Sequence, residues 1–333
     1  MLDIKNLKIA ILLYYIAQKC LDFSTIILYN KVKEKAREAF EKRKDDANMY
    51  KFPIGVIIDS FRLPTREAIK AAADIGAKGI QMYSTNGENS PENLTPEKRR
   101  ELLKYVKDNG LVFSALCGDL GQGFGHKEKN PELVEKSKRI LDLAKELETD
   151  IVTTHIGVVP ADHNHDRFKV MQEACFELSS YADSIGSHFA IETGPETSAV
   201  LKSFLDTLGS TGVGVNLDPA NLIMVTGDAP VVAVENLKDY IVHTHAKDGV
   251  KLKDINPEYI YRAVHPIPEE VLNIKSFEEV PLGMGSVPFI HYLKALESIG
   301  YKGFLTIERE VGDNPAKDIK TAMDYLTRIM EEN

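Results

Sequence analysis

From residue 52 onward the chain repeats one pattern eight times: a short β-rich run, a turn, then a segment whose apolar residues recur at three- and four-residue spacing. The strand candidates are "IGVIID" (54–59), "KGIQMY" (78–83), "LVFSAL" (111–116), "DIVTTH" (150–155), "HFAIET" (188–193), "GVGVNLD" (212–218), "YIVHTH" (240–245) and "GFLTIE" (303–308). The helical segments carry their own punctuation. In "LTPEKRRELLKYVKDNG", Thr95 stands as N-cap, Pro96 at the first helical position and Gly110 just past the end; "NPELVEKSKRILDLAKELE" (130–148) is a second such helix. Eight units over about 280 residues predict an α/β chain closed into a (β/α)8 TIM barrel, a fold of ~250 residues, with one loop enlarged. An open doubly wound sheet is the rival, but no GxGxxG opens the first helix after a strand.

The enlargement is a long loop after the seventh strand. About 35 residues, including "YRAVHPIPEEVLNIKSFEEVPLGMG", separate "HAKDG" from a helix expected near Ser286. Insertions after a barrel strand lie on the catalytic face, so this one is expected to cover the site. Residues 49–333 are read as the barrel domain. Residues 1–48 are read as a helical N-terminal extension, rich in i,i+4 charge pairs and poor in apolar anchors. Its apolar run "KIAILLYYIA" is about half the length of a membrane span, and no small-residue cleavage site follows it.

A net charge of −9 and no Lys/Arg-dense stretch in the barrel argue against a nucleic-acid partner, and no membrane partner is signalled. The three cysteines, Cys20, Cys117 and Cys175, are far apart and lack CxxC spacing, so neither a disulfide framework nor a zinc knuckle is expected and a reducing cytoplasm is the default. A small polar substrate fits this balance, and a homo-oligomer is compatible with it.

Catalytic groups of a barrel sit at the C-terminal ends of its strands. Here those ends carry His155, Glu192, Asp218, His245 and Glu308, while two residues earlier stand Thr153, Ala190, Asn216, His243 and Thr306. The upper layer is ionisable and the lower one small or neutral. Three carboxylates brought together in a poorly solvated mouth repel one another unless a cation joins them. Glu192, Asp218, His245 and Glu308 form a mainly oxygen set suited to Mn²⁺, with Mg²⁺ or Co²⁺ possible, rather than to structural Zn²⁺.

"AIETG", "VNLDPAN", "VHTHAKD", "VPLGMGSV" and "FLTIERE" together resemble the xylose isomerase-like TIM barrel superfamily, in its sugar phosphate isomerase/epimerase branch, over about residues 54–330. The resemblance implies that Glu192, Asp218, His245 and Glu308 hold one divalent ion, and that His243, one layer lower, has a structural hydrogen-bonding role. The chain also departs from the ketose 3-epimerases it resembles. Asn221 stands where they place a histidine, Lys251 where they place an arginine, and Ser198 where they place a second glutamate.

The chemistry so implied is proton abstraction beside a carbonyl through a metal-stabilised enediolate, with Glu192 and Glu308 as the catalytic pair, in a metal-dependent sugar or sugar phosphate isomerase/epimerase. A lyase or dehydratase acting on a keto-sugar or 3-keto-glycoside shares that first step, and a non-catalytic sugar-binding barrel is the alternative of another class. His155, Lys247, Asn221 and Asp248 are the expected substrate-binding residues. Cys117 is expected to be a buried, inert thiol, and "HNHD" (163–166) a solvated helix start.

Overall fold

The structure, a computed structural model, describes residues 52–332. The expected extension at 1–48 lies outside the described residues. Eight parallel strands close a barrel: β1 (Ile54–Ile57), β2 (Gly79–Tyr83), β3 (Val112–Cys117), β4 (Ile151–Thr154), β5 (His188–Glu192), β6 (Val213–Leu217), β7 (Ile241–Ala246) and β10 (Leu305–Ile307). Between β7 and β10 lie two further strands, β8 (Asp248–Lys251) and β9 (Phe277–Val280), which pair antiparallel as a separate two-stranded sheet. Around the barrel the order is β1-β10-β7-β6-β5-β4-β3-β2, so β10 closes the cylinder against β1.

Eight helices follow the barrel strands: α1 (Thr65–Asp74), α2 (Pro96–Asp108), α3 (Asn130–Glu146), α4 (Asp166–Ser184), α5 (Ser198–Leu205), α6 (Pro230–Leu237), α7 (Phe289–Ser298) and α8 (Pro315–Glu332). Local chemistry sets their starts. Thr95 accepts the Lys98 N–H, and Thr197 accepts the Val200 N–H, as N-caps. The last helix shows why the chain folds back at each unit: Ile319, Ala322, Met323, Leu326, Ile329 and Met330 recur at three and four spacing and are all buried. Fully burying each large aliphatic contributes about 1.5–3 kcal/mol, which is what holds an otherwise polar helix on the barrel. No helix among the described residues is long and apolar enough to cross a membrane.

The enlarged segment after β7 carries secondary structure of its own. "KDGVK" continues directly into β8, and the segment pairs back on itself through β9, with short helical turns at Pro257–Ile260 and Glu269–Leu272 between. The pairing couples Asp248 with Val280 and Lys251 with Phe277. The insertion is therefore a hydrogen-bonded arm, and the helix after it begins at Phe289, three residues later than the sequence suggested.

Inside the barrel, register sets the height of each polar group. Glu192 is level with Asn216, Asn216 with His243, and His245 with Thr306. Successive same-face residues are two apart, so Glu308 stands above Thr306 as His245 stands above His243. The lower layer contains an amide and imidazole network. Gln81 Nε2 donates to Thr153 Oγ1 at 3.1 Å, and Gln81 Oε1 accepts from His243 Nε2 at 3.1 Å. Burial pushes the His243 imidazole well below its usual range and His245 adds to that, which gives the neutral structural histidine expected from sequence.

Candidate metal centre and active site

Glu192 ends β5, Asp218 and Glu308 immediately follow β6 and β10, and His245 lies one residue from the end of β7. All four are buried, and one ligand atom from each lies within 4.8 Å of the others. His245 Nδ1 is the hub: it stands 3.2 Å from Glu308 Oε2, 3.5 Å from Asp218 Oδ2 and 3.6 Å from Glu192 Oε1. On the far side of the ring, Nε2 faces Gln81 Oε1 at 3.1 Å. An amide oxygen accepts, so Nε2 carries a proton and Nδ1 is the nitrogen presented to the carboxylates, which, against burial, raise the imidazole well above its usual range; with an ion between them Nδ1 would give it its lone pair instead.

Each carboxylate is aimed by its neighbours. Asp218 Oδ1 caps the turn that follows it, accepting the Ala220 and Asn221 N–H groups at 2.8 and 2.9 Å. Its other oxygen, Oδ2, is buried with no hydrogen-bond partner. A buried carboxylate oxygen with nothing to accept is costly, and a divalent ion among three carboxylates and one imidazole removes that cost. The donor set therefore fits a hard divalent cation. Glu192 Oε2 accepts Asn216 Nδ2 and Oε1 accepts Asn221 Nδ2, both at 3.0 Å. Glu308 Oε2 accepts Lys247 Nζ at 3.1 Å, and the same ammonium also bonds Glu310.

Burial opposes ionisation of Glu308, but Lys247 and then His245 outweigh it and hold the carboxyl well below its usual range. Glu192 is lowered in the same way, against burial, by His155 and His245. Asp218 goes the other way: burial raises it, and Lys247 and His245 only partly offset the rise. The His155 imidazole is disfavoured as a cation by burial, yet Glu192 and Asp119 overcome this and lift it to about 9.

Above the four residues opens a cavity of about 480 Å³. His155, Asn221 and Lys247 line it. His155 Nδ1 lies 3.2 Å from Asp119 Oδ2, and its Nε2 is 3.6 Å from Glu192 Oε1. Asp248 has another task than the substrate contact expected of it. It does not line the cavity, and its buried carboxylate accepts the N–H groups of Gly249 (2.9 Å), Gly283 (3.0 Å), Gly285 (2.9 Å) and Val287 (3.1 Å). The segment after β9 packs over this side chain and takes up its oxygens.

Sequence reasoning missed Gln81, Asp119, Tyr261 and Glu310, which also line the cavity. The signal for Gln81 was an amide in the otherwise apolar strand "GIQMY"; Tyr261 comes from the arm and carried none. Cys117 is buried at the cavity floor and burial raises its thiol, in keeping with an inert group. His163 and His165 are exposed, and His165 caps α4, as a solvated helix start requires.

A parallel eight-stranded barrel brings an Asp, a His and two Glu together at the C-terminal ends of four adjacent strands, a group that could hold a metal ion. The family profile described as xylose isomerase-like TIM barrel matches residues 69–329, and the chain belongs to that family. A putative L-ribulose-5-phosphate 3-epimerase of Haemophilus influenzae is 22% identical over 280 residues, covering 80% of this chain and 92% of that protein. The crystal structure of a xylose isomerase domain protein from Planctomyces limnophilus is 26% identical with a TM-score of 0.68, covering 84% of this chain and 97% of that one. That of the 3-keto-D-glucoside 4-epimerase of E. coli is 16% identical with a TM-score of 0.62, covering 83% and 99%, a likeness of fold.

Proposed function

We propose that the protein is a divalent-metal-dependent carbohydrate isomerase or epimerase that moves a proton on a carbon beside a carbonyl. The observation that carries this reading is the pair of buried carboxylates, Glu192 and Glu308, held 3.6 and 3.2 Å from His245 Nδ1. The epimerase names of its relatives support a small carbohydrate as substrate.

Glu192, Asp218, His245 and Glu308 would hold the ion, with Mn²⁺ the first choice and Mg²⁺ or Co²⁺ close behind. Such an ion supplies Lewis acidity toward the oxygens of the substrate. The chain supplies the rest. Glu308, kept ionised by Lys247, takes the proton from one face. On the other face a proton is returned through Glu192, supplied by His155, which Glu192 and Asp119 hold protonated against burial, with its carboxyl-facing Nε2 3.6 Å from Glu192 Oε1. Lys247 Nζ, fixed between Glu308 and Glu310, lends positive charge beside the oxygen on which negative charge develops. The two amides of Asn216 and Asn221 hold Glu192 in place throughout.

The test is turnover in D₂O of keto-sugars and 3-keto-glycosides with added Mn²⁺, following isomeric products and released leaving groups. Solvent deuterium on the carbon beside the carbonyl is expected, together with a loss of about 10²-fold or more in rate for Glu192→Gln and for Glu308→Gln. Transfer of the substrate's own hydrogen to the neighbouring carbon without solvent label, at near-normal rates in both variants, would refute a two-carboxylate proton transfer.

A further inference from the structure

We infer that Tyr261, which the arm carries to the site and Arg167 clamps there, is a substrate-contacting residue whose hydroxyl binds a sugar hydroxyl beside Glu192, so that the arm selects the carbohydrate on which the barrel acts. The inference deepens the carbohydrate reading above and rests on it. The barrel strands and the turns after them supply the four candidate ligands and His155, whereas Ile260, Tyr261, Lys275 and Phe277 of the cavity wall all come from the arm.

Tyr261 is set against the reactive end of the cavity. A Cβ on Gly194, two residues past Glu192, would lie 2.9 Å from the Tyr261 hydroxyl and 2.9 Å from Asn221 Cβ, and Gly194 has φ +149°, a conformation that favours glycine. The hydroxyl thus rests beside the backbone that follows Glu192 and beside the residue whose amide donates to the Glu192 carboxylate at 3.0 Å. The Tyr261 ring centroid is 6.1 Å from that of His155. The Tyr261 N–H is used on the Pro257 carbonyl at 2.9 Å, but among the described residues no protein group bonds its hydroxyl. Burial, and after it Glu192, pushes the phenol above its ordinary range, so it stays a neutral O–H able to donate to one sugar oxygen and accept from another. An aromatic body with a polar tip suits a sugar, whose C–H face packs on the ring while a hydroxyl meets the tip.

The arm is built to hold that position. Asn256 caps the turn Pro257–Ile260 by accepting the Glu258 N–H at 3.0 Å, and the Ala263 N–H donates to the Glu258 carbonyl at 2.7 Å. Arg167, at the start of α4, reaches across to this turn. One terminal nitrogen bonds the Glu258 carboxylate and the other the Ala263 carbonyl at 3.5 Å, one partner on either side of Tyr261 in sequence. The Arg167 stem packs on Gly125, where a Cβ would come within 3.2 Å of its Cδ, and the side chain is only 15% exposed. A planar fork so shielded loses little freedom on pairing, so Arg167 is a positioning residue for Tyr261.

The experiment uses the Mn²⁺-loaded full chain and a panel of five- and six-carbon keto-sugars and 3-keto-glycosides with their monodeoxy analogues. In the unaltered protein, removing the one sugar hydroxyl that Tyr261 meets should cost about tenfold or more in kcat/KM; in Tyr261→Phe, which keeps the ring, that analogue and its full sugar should differ by less than about twofold. Arg167→Met should raise KM and shrink the same discrimination, Arg167→Lys should restore part of it, and Mn²⁺ content by elemental analysis should be unchanged in all three variants. Calorimetry with the alditols of the same sugars, which keep the hydroxyls but have no carbonyl to react, gives a second reading, and Tyr261→Phe should weaken their binding about 3- to 10-fold. A Tyr261→Phe protein that lowers every analogue by the same factor, or that discriminates as the unaltered one does, would overturn the inference and leave the carbohydrate reading standing. Neither turnover nor alditol binding by the unaltered protein would remove the carbohydrate reading, and this inference with it.

Discussion

Replacing Asp248 with Ala tests how the arm is held over the site. Four N–H groups converge on this carboxylate, and Asp248 is 2% exposed. At about 1.5–3 kcal/mol for each hydrogen bond to a charged group, the four together would be worth about 6–12 kcal/mol if nothing relaxed. Three of the donors lie in one short segment, residues 283–287, which can lift and hydrate, so the loss is capped by the cost of freeing that segment. About 3–5 kcal/mol is expected, the range seen when one side of a buried charged arrangement is removed. Urea unfolding measures the global part. Hydrogen exchange at Gly283, Gly285 and Val287 measures the local part, and those amides should exchange about 10²–10³-fold faster. Asp248→Asn keeps one carbonyl acceptor but turns an NH₂ toward the remaining donors, so it should fall between the two. An Asp248→Ala protein within about 0.5 kcal/mol of the parent, with protection unchanged at those three amides, would refute the argument.

Purified protein should bind about one divalent ion per chain, and Asp218→Ala or His245→Ala should lose it; full occupancy by elemental analysis in both variants would end the assignment. Glu196 is buried with Oε2 on the Val159 N–H, and burial raises its carboxyl to about 8 from an ordinary 4.5. The native state then holds a proton that the unfolded chain releases above 4.5, so this group's contribution to stability is full below that pH and is lost as pH rises to 8. Glu196→Gln should flatten that slope and be more stable than the parent at pH 8 by about 2–4 kcal/mol, as read from denaturation at several pH values. A chain beginning at Met49 should fold and bind metal, since every barrel strand lies after it; insoluble protein would place residues 1–48 in the core.

The fold was legible because each barrel unit is a local statement: a β-branched run, a turn, a capped amphipathic helix. The four ligand candidates were legible for a related reason, since in a barrel the end of a strand is also a place in the site. What escaped was whatever depends on closure. Gln81 meets His243 and His245 across 162 and 164 residues of chain, and Asp119 meets His155 through two loops that share no pattern. Asp248 was misread because its four partners include residues 35–39 positions downstream, and nothing in "HAKDG" itself announces them. Tyr261 depends on the path of the arm, whose turns follow from pairing between β8 and β9 rather than from hydrophobic period.

The strand order has a consequence for how the chain matures. Glu192, Asp218 and His245 come from three neighbouring staves, β5, β6 and β7. Glu308 rides on β10, the stave that joins β7 to β1 and turns an open fan into a ring. A chain still lacking its last stave thus presents a three-pronged grip, and the fourth prong arrives only with closure. Completion of the ring and completion of the four-residue group are therefore one event, and an ion held there would meet its full set of ligands only once the architecture is sealed.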